Sequence, residues 1–160
     1  MRFTTTFVAT VAFAIGLGTA GVSAQSSGAL FAKYPVKQVY KGKPVPVNLK
    51  SHKSARNFRT RLRAAARQGA KFAGRLSVAI WGCGTSCQQI ALIDARSGRV
   101  VFGPTASHGA RYRLTSRLMI VNAEEDIREA WEGQGLKRPA WAKTEYYLWR
   151  RGKLVKIAKP

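Results

Sequence analysis

The chain has 160 residues, 28 Lys plus Arg against 7 Asp plus Glu, a formal net charge of +21 and a pI near 11.2. Hydrophobic residues make up 46% and charged residues 22%, globular proportions that exclude wholesale disorder in a chain long enough for one small domain. The Gly, His and Cys residues are wrongly spaced for a dinucleotide-binding βαβ unit, a P-loop, a serine triad or a metalloenzyme helix, so no catalytic residue, cofactor or metal site is assigned.

Met1-Arg2 is a short basic start, residues 7–20 are apolar without a charge, and Val22-Ser23-Ala24 places small residues where a signal peptidase reads. This predicts a signal peptide over 1–24 and a periplasmic or secreted protein, since the apolar run falls short of the roughly 20 residues that span hydrocarbon. No Cys follows the site, which disfavours a lipid anchor.

Residues 25–53 are polar and basic, with Pro35, Pro44 and Pro46, and read as an extended arm ahead of a single domain at 54–160. Ser54 is placed to cap a helix to about Gln68, where Ala55, Phe58, Leu62, Ala65 and Ala66 form an apolar stripe. Arg56, Arg59, Arg63 and Arg67 lie on other faces with no acid to neutralise them. Short apolar runs cut by turn residues then predict an antiparallel meander of five or six strands. The runs are 76–81, 89–94, 100–102, 116–121 and a hairpin over 145–157 turning at Arg151-Gly152. In the run at 116–121, Leu118, Met119, Ile120 and Val121 are apolar on both alternations, so the strand is expected in the middle of the sheet, covered on both faces. Asn122 opens an Asn-x-x-Glu capping pattern with Glu125, predicting a short acidic helix over 123–132. The fold class is therefore α+β, with a core expected to include Phe58, Leu62, Phe72, Val78, Ile80, Ile93, Leu118, Ile120 and Leu148.

The two cysteines lie in Trp81-Gly82-Cys83-Gly84-Thr85-Ser86-Cys87-Gln88. In an oxidising compartment cysteines this close pair, closing a loop of about five residues. Three readings stay open: a staple between neighbouring strands, a redox-active pair, and a recognition loop of Trp81, Gly82, Gly84, Thr85, Ser86 and Gln88 made rigid for docking. A metal site is disfavoured because neither His52 nor His108 has ligand spacing to the cysteines.

Phe72-Ala73-Gly74, Trp81-Gly82-Cys83-Gly84-Thr85 with Cys87-Gln88, Asp94-Ala95 with Ser97-Gly98-Arg99-Val100, and Ser116-Arg117-Leu118 together resemble a family of small secreted proteobacterial proteins of unknown function. The resemblance spans about residues 58–121 and implies a secreted, β-rich protein, with no activity, cofactor or catalytic residue attached. Where that pattern has Phe-Ala-Gly-His-Tyr, this chain has Arg75-Leu76.

Charge is the main functional clue. Between residues 25 and 123 there are 18 Lys plus Arg against Asp94 alone, while Glu124, Glu125, Asp126, Glu129 and Glu132 crowd one segment. Such a chain attracts polyanions in a salt-dependent way. The expected partners are acidic polymers or an anionic membrane surface, met through Arg56, Arg59, Arg63, Arg67, Arg150 and Arg151. The aromatics of Tyr146-Tyr147-Leu148-Trp149 beside Arg150 and Arg151 offer stacking faces, but a signal peptide argues against intracellular nucleic acid. The leading expectation is a non-enzymatic binding module. The alternatives are a periplasmic thiol-disulfide oxidoreductase using Cys83 and Cys87, and an inhibitor of an acidic envelope enzyme acting through the disulfide loop. For catalysis, Ser107-His108 sits between strands with Asp94 the nearest acid in sequence, and adjacent side chains usually point apart.

Overall fold

A computed structural model describes residues 27–160; the expected signal peptide lies outside the described residues. Two antiparallel sheets carry the architecture. The first has the order β1 (Leu76–Gly84), β2 (Cys87–Asp94), β3 (Val100–Ala106), and the second β4 (Ala110–Tyr112), β5 (Leu118–Val121), β6 (Glu145–Arg150), β7 (Lys153–Ile157). Helices α1 (Ser27–Ala32), α2 (Arg59–Arg67) and α3 (Glu124–Trp131) complete the α+β fold.

The period of two along the central strands sorts the layers. In β2, Ile90 and Leu92 join a cluster with Met119, Val121 and Trp149 of the second sheet, while Ala91 and Ile93 turn to Leu62 and Ala65 of α2. In β5, Met119 and Val121 face the first sheet, and Leu118 and Ile120 face Leu30 and Phe31 of α1. The layers run α2, first sheet, second sheet, α1. Both central strands are covered on two faces, which is why 90–93 and 118–121 are unbroken apolar runs. Each fully buried aliphatic side chain in them contributes about 1.5–3 kcal/mol.

Several expectations change in detail. The meander is split in two because the chain breaks pairing at Ser107, where the Asn122 side-chain oxygen accepts the N–H groups of both Ser107 and His108 at 2.8 Å. Asn122, at φ +51°, is thereby spent on this corner and does not cap α3, whose N-cap is Ala123. Ile80, expected in the core, is 37% exposed: it shares a face with buried Leu76 and Val78, but sits toward the hairpin end of β1, where that face opens into a groove. Phe58 is half-buried beneath the Trp81 ring. The arm expected to be extended opens with α1, since adjacent Leu30 and Phe31 find burial against β5. Ser116, 1% exposed, ties it down: its hydroxyl reaches the Phe31 carbonyl at 2.9 Å, and Arg117 N–H donates to the Tyr34 carbonyl at 2.8 Å. Farther on, residues 44–48 form a strap pinned to the β2–β3 turn, with Val45 N–H donating to Ala95 O at 2.9 Å and Asn48 N–H to Gly98 O at 2.8 Å.

Candidate functional site

The helix α2 and the 3-10 turn before it (Ala55–Phe58) have an apolar side and a cationic side. Leu62 and Ala65 are buried with Ala79 and Trp81 beneath them. Arg56, Arg59, Arg63 and Arg67 recur at three- and four-residue steps, so they form one stripe, and all four are exposed. Arg61 is exposed outside that stripe. None of these arginines forms an ion pair among the described residues.

Arg150 and Arg151 sit at the β6–β7 turn, where Arg150 lies opposite Lys153, a like-charge cross-strand pair that costs stability. The Arg99 guanidinium lies against this turn: a Cβ on Gly152 would meet its Nη1 at 3.2 Å. Arg99 leaves the β2–β3 turn, whose Gly98 abuts the Pro46 carbonyl of the strap, and the strap in turn lines a groove with Arg63 and Arg67. A sequence of contacts thus links the two arginine groups through a turn that sequence analysis did not assign to the site. Arg99 and Lys153 join it only through tertiary packing, which leaves no local signal.

The acids are used elsewhere. Glu124 pairs with Arg138 at 2.5 Å and Asp126 with Arg111 at 2.6 Å, while Glu145 holds Lys156. The Arg138 guanidinium beside Glu124 holds that carboxyl below its ordinary range, the Ser27 hydroxyl does the same for Glu125, and Lys156 for Glu145. Burial, with Glu145 beside it, pushes the Tyr147 hydroxyl up to about 12.

Cys83 and Cys87 are disulfide-bonded across the tip of the β1–β2 hairpin. The ladder runs to Gly84 opposite Cys87, with a bulge that leaves Cys83 unpaired, and Gly84 and Ser86 take positive φ values of 138° and 51°. Residues 82–86 are exposed. Beside them a groove of about 500 Å³ is lined by Ile80, Trp81, Gly82, Gly84, Ser86 and Gln88 together with Cys87 and Ser107. No cation lines it. Trp81 is only 5% exposed, its ring 4.7 Å from that of Phe58, so it supports the loop from the core rather than standing out from it. Thr85 forms the outer tip.

Ser107 and His108 do meet, contrary to the expectation for sequence neighbours: Ser107 Oγ and His108 Nδ1 are 2.8 Å apart. Trp131 Nε1–H donates to His108 Nε2 at 3.0 Å. An indole N–H has no acceptor capacity, so the single hydrogen of the neutral imidazole is on Nδ1 and points to Ser107. His108 therefore holds the serine hydroxyl as an acceptor and has no free lone pair to take its proton. Asp94 is occupied in the β2–β3 turn by Arg75 at 2.8 Å and the Arg96 N–H at 2.9 Å. These three groups do not assemble into a nucleophile and base. His108 also stacks on Trp141, which is 55% exposed. Among the described residues no group of three His, Cys, Asp or Glu is placed to hold a metal ion, and no helix is long and apolar enough to cross a membrane.

Comparison of the chain with protein-family models, curated proteins and solved structures returned no match.

Proposed function

We propose that this protein is a polyanion-binding module that works outside the inner membrane after loss of residues 1–24, its partners the acidic polymers or anionic lipid surface of a cell envelope. One observation carries the reading: Arg56, Arg59, Arg63 and Arg67 form an exposed stripe on a helix anchored to the core, with no acid beside them. A stripe held rigid loses little entropy on binding and repels itself until an anion arrives.

The test uses duplex DNA as a polyanion of known charge spacing. The logarithm of affinity falls with the logarithm of salt at about 0.9 per phosphate contact, so changing the four arginines to Gln is expected to flatten the slope by up to about 3.6. Changing Lys137 and Lys143 to Gln is the control, with the slope expected to stay put. An unchanged slope in the four-arginine variant overturns the reading.

A second reading, a wedge docking in the cleft of an envelope enzyme, is favoured by the uncharged groove beside residues 82–86. The thiol-disulfide alternative draws less support, because no Lys or Arg lines that groove to lower a thiol pKa.

A further inference from the structure

Between the strap and α2 lies a second groove, of about 470 Å³, within the range of small-molecule sites. Its apolar wall is the Pro-Val-Pro-Val run at 44–47, with Ala66 below and Arg63 and Arg67 at the rim. Val45 is 37% exposed, one of few large apolar side chains left open to solvent among the described residues.

Both walls are rigid. The strap is hydrogen-bonded to the β2–β3 turn at Val45 and Asn48, and Pro44 and Pro46 fix its backbone angles. The helix is anchored through Leu62 and Ala65. Arg63 and Arg67 are one helical turn apart, a spacing at which like charges repel, and neither has an acid to offset it. An apolar trough ending in two unpaired guanidinium groups is complementary to a molecule with the opposite polarity at one end and hydrocarbon at the other.

We infer that this groove binds a single-chain anionic amphiphile, its alkyl chain along residues 44–47 and its phosphate head between Arg63 and Arg67. The inference rests on the cationic-face reading for the role of those two arginines and adds the chain-binding wall, which a polyanion does not use. Two arginines at a fixed spacing suit a phosphate, since each fork presents paired N–H donors to its oxygens.

The experiment is calorimetric titration of the purified protein with alkyl phosphates of four to ten carbons, each below its micelle concentration. Decyl maltoside serves as the chain without charge and inorganic phosphate as the charge without chain. Affinity is expected to rise by up to about fourfold per methylene until the trough is full and then level off. Decyl phosphate is expected to bind at least tenfold more tightly than either control. The Arg63→Gln, Arg67→Gln variant should bring decyl phosphate down to the level of decyl maltoside, and Val45→Asp, which sets a carboxylate beside the arginines, should weaken it at least fivefold. Val45 is exposed enough for that change to leave the fold intact, which far-ultraviolet circular dichroism checks.

A series flat in chain length, or decyl phosphate binding unaltered by the double arginine change, overturns the inference. Should the chain-length series be flat while the four-arginine change still flattens the DNA salt slope, the groove is refuted and the polyanion face stands. A steep series with an unaltered DNA slope refutes the face and keeps the groove.

Discussion

Replacing Gly98 by Ala tests whether the strap is held by the β2–β3 turn. Gly98 has φ +69°, and a Cβ there would sit 2.1 Å from the Pro46 carbonyl oxygen and 3.1 Å from the Asn48 nitrogen. The substituted residue meets two costs. The first is the left-handed backbone itself, roughly 1–2 kcal/mol for a residue with a Cβ. The second is displacement of the strap, because both close atoms are backbone and have no rotamer to retreat into. Moving it breaks the Val45 to Ala95 and Asn48 to Gly98 hydrogen bonds, each contributing about 0.5–1.5 kcal/mol, and uncovers part of half-buried Val47 and Leu49, about 1 kcal/mol more. The expected loss is about 3–6 kcal/mol. Gly69→Ala is the matched control: its φ is +81°, but nothing lies within 4 Å of the added carbon, so only the backbone cost of roughly 1–2 kcal/mol applies. Urea unfolding at a common m-value reads both, and amide exchange at Val45 and Asn48 should accelerate in Gly98→Ala alone. Equal losses in the two variants would refute the claim that this close approach pins the strap.

Other expectations follow from single contacts. Changing Cys83 and Cys87 together to Ser releases a loop of about five residues and should cost about 2 kcal/mol in urea unfolding, with amide protection of 88–94 retained; loss of that protection would show that the bond organises the whole sheet. Because the Glu124 carboxyl is lowered from 4.5 in the folded state, its contribution is present above that value and disappears as pH falls through the depressed one, so Arg138→Gln should lessen the drop in unfolding free energy between pH 5 and pH 2, both read by urea titration. Tyr147 is raised from 10.0 to about 12, so the stability it carries is full below pH 10 and lost toward pH 12; a Tyr147→Phe variant lacking this alkaline loss would agree, and one retaining it would not. Imidazole nitrogen spectra of neutral His108 should show the hydrogen on Nδ1, and Trp131→Phe should let it move to Nε2.

What local pattern can carry was legible in the sequence. The runs expected at 76–81 and 89–94 fall inside the longer strands at 76–84 and 87–94, and the apolar character of 118–121 on both alternations correctly places β5 between two covering layers. The cysteine spacing led to the disulfide that is present. What was not legible depends on partners distant in the chain. Asn122 looks like a helix cap because Glu125 follows at the right step, yet it is taken by Ser107 and His108, 15 and 14 residues earlier. Ser107 and His108 look like unrelated neighbours until Trp131, 23 residues on, fixes the ring. Ile80 belongs to a run whose other members are buried, and it is exposed because it lies beyond Leu76 and Val78 on the face that packs against the second sheet, where that face opens into a groove. The strap offers no periodic signal at all, because two prolines replace the donors that a strand would use.

The distribution of acids bears on how the cationic surplus is used. Six of the seven acids hold a cation in ion pairs, and each of those pairs has a place in the architecture. Asp94 closes the β2–β3 turn, Glu124 and Arg138 tie α3 to the loop before β6, Asp126 and Arg111 tie α3 to β4, and Glu145 joins the two strands of the last hairpin. Negative charge is therefore confined to joints near α3, the hairpin and one turn. The arginine stripe of α2 receives none of it, although Thr60, exposed within the same helix, occupies a position where a Glu would supply a helix-stabilising pair to Arg63 or an acidic neighbour to Arg56. A surface made basic by general composition alone has no reason to withhold acids from the helix with the densest cations. Introducing Thr60→Glu puts that to the test: if the stripe has no binding role, polyanion affinity should drop only by the loss expected of one unit of net charge anywhere on the surface, about half of that measured for the two-unit change Lys137→Glu. If the stripe binds, Thr60→Glu, which changes net charge by one unit against two, should nonetheless cost more affinity than Lys137→Glu.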